Sequence, residues 1–170
     1  CRITDSSALI YTGAAVAGVL AGDMITLFVF WELTAISSVF LVWKGGEAAY
    51  AAGLRYLAIH VFSGVLLLAG AVMVAQSRGG DFTFDFIGLN TPGGWLMMIA
   101  MGIKCGFPLL HNWMQDAYPK ASITGTVILA SFTTKFAIYA LARGFEGVDI
   151  LIWVGAIMTC FPVFFAVVEN

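Results

Sequence analysis

Long apolar runs constrain the fold of this chain more than any other feature of its sequence. A bilayer core about 30 Å thick requires about 20 apolar residues in each spanning helix. Five runs reach that length and one is shorter; in chain order the six are 7–22, 24–43, 55–76, 94–114, 121–142 and 149–168. We therefore predict an all-α, polytopic transmembrane bundle of about six helices that forms a single domain over residues 1–170.

The composition argues against other classes of protein. Charged residues make up 11% of the chain and the mean hydropathy is +0.94, whereas soluble domains carry about 25% charged residues. The net charge of −2 gives no indication of nucleic-acid binding. Cys1, Cys105 and Cys160 are too far apart in the sequence to suggest a metal site or a disulfide framework. We therefore expect neither a metal nor a cofactor.

The connections between the runs carry turn residues. Gly22 and Asp23 predict a tight connection in which Asp23 caps the following helix. The segment 77–93 is the longest polar connection.

An aromatic belt at the membrane interface is expected from tryptophans near the run ends, namely Trp43, Trp95 and Trp113.

Loop charges predict the orientation in the membrane, because basic residues accumulate on the cytoplasmic side. Six alternating spans place four basic residues on one side, namely Arg2, Lys44, Arg55 and Lys120, and two on the other, namely Arg78 and Arg143. We therefore expect both ends of the chain to be cytoplasmic, in a bacterial or archaeal inner membrane. The chain begins with Cys1 and stops at Asn170, where a polar loop is expected to begin. This pattern indicates an internal piece of a longer membrane protein.

Three ionisable residues interrupt otherwise uncharged apolar runs: Glu32, Lys104 and Lys135. A charge near the bilayer centre costs about 2.5–3.5 kcal/mol, so such residues usually face the bundle interior or a water-filled path. One carboxylate and two amines on three helices are the components of a proton or cation relay. The alternative is a non-transporting scaffold in which static ion pairs align the helices.

The fourth predicted helix contains residues that interrupt helices. Gly102, Gly106 and Pro108 fall within seven residues around Lys104. A proline removes one hydrogen bond and clashes with the carbonyl four residues earlier, here that of Lys104. Broken helices at membrane depth commonly mark ion sites in transporters. We predict an interruption between Gly102 and Leu110; the alternative is a simple proline kink with a snorkelling lysine, although Lys104 lies about 15 Å from either run end.

Three further residues are candidates for the site. His111 lies seven residues after Lys104, and imidazoles titrate in the physiological range, so a role in proton uptake or relay is predicted. For His60 we expect a hydrogen bond to a backbone carbonyl, with a functional role as the alternative. Asp116 is expected to be a loop or cap residue that helps to position the Lys104 helix.

Three motifs carry a resemblance to a known family. The first comprises residues 102–104 (GIK) and 108–119 (PLLHNWMQDAYP), the second residues 30–33 (FWEL), and the third residues 134–141 (TKFAIYAL). Together they resemble the lysine signature, the glutamate motif and the next lysine helix of the antiporter-like membrane subunits. That family is shared by respiratory complex I, membrane-bound hydrogenases and Mrp-type cation/proton antiporters.

The resemblance implies a function for the intramembrane charges. Glu32 would pair with Lys104, and Lys135 would be the next relay station, with the last relay residue on a helix beyond this chain. The partners implied are other membrane subunits of a multi-subunit complex, the lipid bilayer and H⁺, joined by Na⁺ in an antiporter. The chain carries no quinone, flavin or iron–sulfur motif, so any redox chemistry would belong to other subunits.

Departures from the family pattern bear on the type of complex. Gln115 stands where the family usually has a proline, and Pro108 lies one residue earlier than in the complex I pattern. Tyr118 with Pro119, and the Thr134–Lys135 pair, resemble the D-type membrane protein of the Mrp antiporters. We therefore expect proton or Na⁺/H⁺ translocation within an Mrp-type antiporter. The alternative is a proton-pumping membrane subunit of an NADH-quinone oxidoreductase or a related hydrogenase.

Overall fold

A computed structural model of the protein describes residues 2–168, so the expectations that involve Cys1 and the end at Glu169–Asn170 lie outside it. Within this range the chain forms seven helices: α1 (Arg2–Val19), α2 (Met24–Trp43), α3 (Glu47–Ser77), α4 (Pro92–Cys105), α5 (Asn112–Ala117), α6 (Ile123–Gly144) and α7 (Ile150–Val168). The β structure of residues 2–168 is limited to an isolated bridge between Asp23 and Thr83. The predicted all-α bundle is confirmed.

Side-chain caps begin three of these helices. The Asp23 carboxylate accepts hydrogen bonds from Thr26 Oγ1 at 2.6 Å and from Thr26 N at 2.8 Å, and these bonds lower the pKa of Asp23. The hydroxyls of Thr91 and Ser122 cap α4 and α6 in the same way. Each cap satisfies a backbone N–H that the first helical turn leaves unpaired. The expected cap at Asp23 is therefore present.

The fourth predicted helix is divided into α4 and α5. Helix α4 ends at Cys105 because Gly106 adopts the left-handed conformation with φ 83°, which a residue with a Cβ adopts only at a cost. Residues 106–111 are not helical, and α5 begins at Asn112. The predicted interruption is confirmed, and the chain is broken here rather than kinked.

The indole of Trp113 closes this break. Trp113 is only 3% exposed, and its Nε1 donates a hydrogen bond to the carbonyl of Ile103 at 2.8 Å. This bond is the shorter of two that the Ile103 carbonyl accepts at the end of α4, the other coming from Gly106 N at 3.3 Å. The expectation that Trp113 belongs to an interfacial belt is therefore wrong, because its indole lies inside the bundle.

Helices α1 to α6 pack together as a bundle. Helix α2 packs against α1, α3 and α6, and α4 packs against α3 and α6. Among residues 2–168, three helices, α2, α3 and α6, are by length and composition able to cross a membrane. Large apolar side chains are exposed along the outer faces of these helices, for example Val29, Ile36, Phe62, Val65 and Ile138. Contiguous exposed apolar surface of this kind suits a lipid environment.

Candidate functional site

Lys104 is the centre of the candidate site. Its side chain is 1% exposed. Lys104 Nζ donates hydrogen bonds to the carbonyl of Trp31 and to Thr34 Oγ1, both at 2.8 Å. It also lies 4.2 Å from the centroid of the Trp31 ring, a distance at which the ring face attracts a cation. The lysine therefore points into the bundle and does not snorkel.

The break in the helix favours a cation at this position. Lys104 lies in the last turn of α4, where the helix ends at Cys105. The partial negative charge of a helix C-terminus stabilises a nearby cation. In a continuous helix this charge would lie farther along the chain, so Gly106 contributes to the site by placing the end of α4 beside the lysine.

Thr34 is a site residue that the sequence did not single out. Its Oγ1 accepts from Lys104 Nζ and donates to the Trp31 carbonyl at 2.7 Å. Thr34 thus joins two of the groups that surround the ammonium. The sequence feature that could have indicated Thr34 is its position two residues after Glu32 within an apolar run. This feature is not specific, because hydroxyl residues occur in many buried helices.

Glu32 lies beside the lysine without forming a salt bridge. Its side chain is half-buried, and its Oε1 is buried with no hydrogen-bond partner among the described residues. Within residues 2–168, no ion pair of 4.0 Å or less joins Glu32 to Lys104. The two charges nevertheless attract each other across the intervening space. The structure therefore brings the expected pair to one centre and leaves the carboxylate and the ammonium apart.

A chain of hydrogen bonds holds three helices around this centre. Trp31 Nε1 of α2 donates to Ser63 Oγ of α3 at 3.1 Å. Ser63 Oγ in turn donates to the carbonyl of Ala100 in α4 at 2.8 Å. The Trp31 ring also contacts the Phe136 ring of α6, with centroids 5.2 Å apart. The backbone acceptor of Lys104 is thereby fixed in position, and Ser63 is a second residue that the sequence did not reveal.

His60 lies fully buried near the same centre. Its Nδ1 is 2.9 Å from the carbonyl of Tyr56, which is the backbone hydrogen bond expected from the sequence. The imidazole stacks on the Tyr56 ring at 4.1 Å and meets the edge of Trp113 at 4.5 Å between centroids. Its Nε2 is buried without a hydrogen-bond partner in the described part of the chain. His60 is close enough to Lys104 for the two groups to interact electrostatically.

His111 and Asp116 lie on the segment that follows the break. His111 immediately precedes α5 and is partly buried, so it does not continue the face of α4 that carries Lys104. Asp116 accepts hydrogen bonds from Arg55 Nε at 2.7 Å and Arg55 Nη2 at 2.9 Å, and it also pairs with Lys120. These cations lower the pKa of Asp116 to about 2. Asp116 therefore attaches α5 to α3.

Lys135 lies apart from this group. It is on an exposed face of α6, and its Nζ donates to the carbonyl of Ala130 at 2.7 Å. It borders a cavity of about 330 Å³ between α1 and α6, whose other walls are mainly apolar. The next residue, Phe136, points inward and its ring centroid is 5.9 Å from Lys104 Nζ.

The described residues hold no group of three or more His, Cys, Asp or Glu side chains that could bind a metal ion.

Comparison with known proteins gives consistent matches. Residues 21–167 match the protein family described as NADH:quinone oxidoreductase/Mrp antiporter, TM. The NAD(P)H-quinone oxidoreductase chain 4 1 of Synechococcus elongatus is 32% identical and is matched over 79% of this chain and 27% of its own length. The NADH-quinone oxidoreductase subunit M of Escherichia coli is 30% identical over 85% of this chain and 34% of its own. The chain thus spans about a quarter to a third of the length of these relatives.

Two solved structures share the fold. A chain of the Mrp complex from a Dietzia species superposes with a TM-score of 0.75 and 26% identity, over 88% of this chain and 31% of the other. A chain of the membrane-bound sulfane sulfur reductase, an archaeal respiratory membrane complex, superposes with a TM-score of 0.70 and 25% identity, over 79% and 30%. Each of these chains is part of a complex.

Proposed function

Because the chain belongs to the family of integral membrane proteins described as NADH:quinone oxidoreductase/Mrp antiporter, TM, we propose that it translocates protons through a relay of Glu32, Lys104 and Lys135. The observation that carries this proposal is the state of Lys104. Its amine is buried at the end of a broken helix and is bound by two neutral acceptors, and within residues 2–168 it forms no salt bridge with Glu32.

This arrangement suits a group that gains and loses a proton. A buried ammonium without a paired counter-ion is costly, so small changes in its surroundings shift the balance between the charged and neutral amine. A carboxylate that approaches stabilises the ammonium, and one that recedes favours release of its proton. Glu32 is placed to exert this control because its Oε1 accepts from no donor in the described part of the chain.

The remaining relay residues are assigned from their positions in the chain. His111 is proposed as the proton-uptake group because it lies in the break that follows Lys104. Lys135 is proposed as the next station, since Phe136 beside it reaches the Lys104 centre. With both chain ends on the cytoplasmic side, as the loop charges predict, uptake at His111 would occur from the cytoplasm.

The type of complex has two candidates. The Mrp-type antiporter is supported by Tyr118, Pro119 and the Thr134–Lys135 pair, and by the fold of the Mrp complex. A proton-pumping subunit of NADH-quinone oxidoreductase is supported by the relatives at 30% and 32% identity. In either case the partners are other membrane subunits. An Mrp-type complex is expected to move protons in response to a Na⁺ gradient, and an oxidoreductase in response to electron transfer.

Substitution of the central charges tests the relay. Glu32→Gln and Lys104→Ala, each in the complete complex in proteoliposomes, are expected to lower proton translocation about 100-fold, as measured with a pH-sensitive dye. Glu32→Asp retains the charge and is expected to keep more activity than the amide. Normal translocation by either charge-removing variant in a correctly assembled complex would contradict the relay. A lower yield of assembled complex, together with normal translocation by the complexes that do assemble, would favour the scaffold alternative.

A further inference from the structure

The lysine and two polar groups beside it have unused hydrogen-bonding capacity. His60 Nε2 and Glu32 Oε1 are both buried and unpartnered among the described residues. Lys104 Nζ carries three N–H donors when charged, and it uses two of them, on Trp31 and Thr34. The ammonium also interacts electrostatically with both the carboxylate and the imidazole. Buried polar atoms are rarely left without a partner, so this coincidence calls for an explanation.

The contacts of His60 define which nitrogen carries its proton. The Tyr56 carbonyl can only accept a hydrogen bond, so His60 Nδ1 must donate to it. In the neutral imidazole, Nε2 is then the acceptor with a free lone pair. The Tyr56 ring stacks on the imidazole and the Trp113 ring meets it at 85°, and these contacts, together with the Nδ1 hydrogen bond, favour one orientation of the ring. The lone pair of Nε2 is therefore held in one direction.

The unused donors and acceptors match one water molecule. A buried water typically makes about three hydrogen bonds. Such a water could donate one O–H to Glu32 Oε1 and the other to His60 Nε2, while accepting the third N–H of Lys104. Glu32 is also positioned for this bridge because it lies beside Gly64, one helical turn after His60 on α3.

We propose that a buried water joins Glu32, His60 and Lys104, and that His60 exchanges a proton with Lys104 through it. In this step the ammonium gives a proton to the water, and the water gives one of its own protons to His60 Nε2. The products are a neutral Lys104 amine and a His60 imidazolium with protons on both nitrogens, so atoms and charge balance. The Glu32 carboxylate stabilises the positive charge in either place.

This inference rests on the proposed function and makes His60 a member of the relay. A purely structural histidine would need only its bond to Tyr56. A relay histidine must also change its protonation during turnover. Lys104 of α4 interacts electrostatically with it, and Tyr56 of its own helix stacks on it. Glu32 of α2 lies against Gly64, one turn farther along α3. Of these titratable groups, Lys104 is the one that can supply the proton.

Two substitutions in the complete complex test the effect on transport. His60→Gln is expected to lower proton translocation in proteoliposomes about 100-fold, because a positioned proton-transfer group commonly contributes this much. Phe62→Leu is the control, since it changes a side chain two residues farther along the same helix that is 57% exposed on the outer face of the bundle. It is expected to retain most of the wild-type rate. Normal translocation by His60→Gln would overturn the proposal.

Infrared difference spectroscopy provides a readout that a structural role would not change. With ¹⁵N-histidine, the wild-type complex is expected to show an imidazole band that changes between resting and turning-over states and is absent in His60→Gln. If His60→Gln does not assemble, Lys104→Arg decides, because a guanidinium does not release its proton and the band is expected to disappear. Persistence of the band in Lys104→Arg, or its absence from the wild type, would overturn the proposal.

If Lys104→Ala translocates protons normally, the proposed function itself fails. If only His60→Gln translocates protons normally, this inference alone fails.

Discussion

The Glu32 carboxylate lies against Gly64, so closely that a Cβ atom at residue 64 would stand 1.5 Å from Glu32 Oε1. Such a distance is far inside van der Waals contact. The absence of a side chain on α3 therefore leaves the space that the carboxylate of α2 occupies. Lys104 binds the carbonyl of Trp31, the residue before Glu32, so Glu32 belongs to the candidate site. The contact between Glu32 and Gly64 therefore controls where the carboxylate lies at that site.

Gly64→Ala is expected to lower proton translocation about 10- to 100-fold, because it displaces the Glu32 carboxylate by an ångström or more. The measurement is the rate of proton uptake by proteoliposomes that contain the assembled complex. Gly13→Ala is the matched control: Gly13 is also in a helix, and a Cβ there would meet nothing within 4 Å among the described residues. Equal rates for the two variants would show that the position of Glu32 is not critical.

Thr34→Val is expected to lower both stability and translocation. Valine has nearly the same shape but lacks the oxygen that accepts the Lys104 hydrogen bond. The loss of a buried partner to a charged group destabilises a protein by about 1–3 kcal/mol, which a lower melting temperature of the purified complex would report. Thr34→Ser keeps the hydroxyl and is expected to restore most of both properties. If serine and valine behave alike, the hydroxyl has no role in holding the lysine.

Trp113→Phe is expected to destabilise the break between α4 and α5. Phenylalanine cannot donate to the Ile103 carbonyl, so this buried acceptor keeps only its longer bond of 3.3 Å from Gly106 N, at a cost of about 1 kcal/mol. The melting temperature of the complex measures this effect. Trp95→Phe is the control, because Trp95 is 43% exposed and its replacement is expected to leave the melting temperature nearly unchanged. A similar shift in both variants would contradict the proposed role of the indole.

The ion pairs that Asp116 forms with Arg55 and Lys120 predict that the stability of the protein depends on pH. The pKa of Asp116 falls from its ordinary value of 3.8 to about 2 in the folded chain, first because of the Arg55 hydrogen bond and then because of Lys120. A carboxylate with a lowered pKa stabilises the folded state fully above its unfolded pKa, and this contribution is lost as the pH falls toward the folded value. The effect is expected to be modest, since the Asp116 side chain is 26% exposed.

The measurement compares melting temperatures of the wild type and Asp116→Asn as a function of pH. The wild type is expected to be the more stable at neutral pH. The difference is expected to shrink between about pH 4 and pH 2 as Asp116 is protonated. Asp85→Asn, which removes the remote Arg78–Asp85 pair, shows whether any surface ion pair has the same effect. If the difference in melting temperature stays constant down to pH 2, the charge of Asp116 does not contribute to the stability.

Local features of the fold followed from residues close together in the sequence. Helix α2 spans Met24–Trp43, the same range as its apolar run, because its length and its Asp23 cap depend only on neighbouring positions. The break after Cys105 was predictable for the same reason, since Gly106 and Pro108 act on the backbone within one helical turn. The polar connection before α4 was also evident from composition alone.

The identities of the central charges were likewise evident from the sequence, but their surroundings were not. Glu32, Lys104 and Lys135 stand out because the cost of burying a charge is set by the apolar run that it interrupts. The groups that bind Lys104 do not stand out, because backbone carbonyls and hydroxyls are present throughout the chain. Trp113 was wrongly assigned to the interfacial aromatic belt for a related reason. Its position near the end of an apolar run does not show whether the segment after the break packs inside the bundle.

The sequence by itself determined which segments are apolar and helical, where one of them breaks, and which charges interrupt the apolar runs. Tertiary structure alone decided that Lys104 bonds to Trp31 and Thr34, which lie 73 and 70 residues away. It also decided that Glu32 lies against Gly64 and that His60 packs against Tyr56 and Trp113. The physical reason is that such contacts depend on how each helix is rotated and how closely it approaches its neighbours, and these quantities arise only when all the helices pack together.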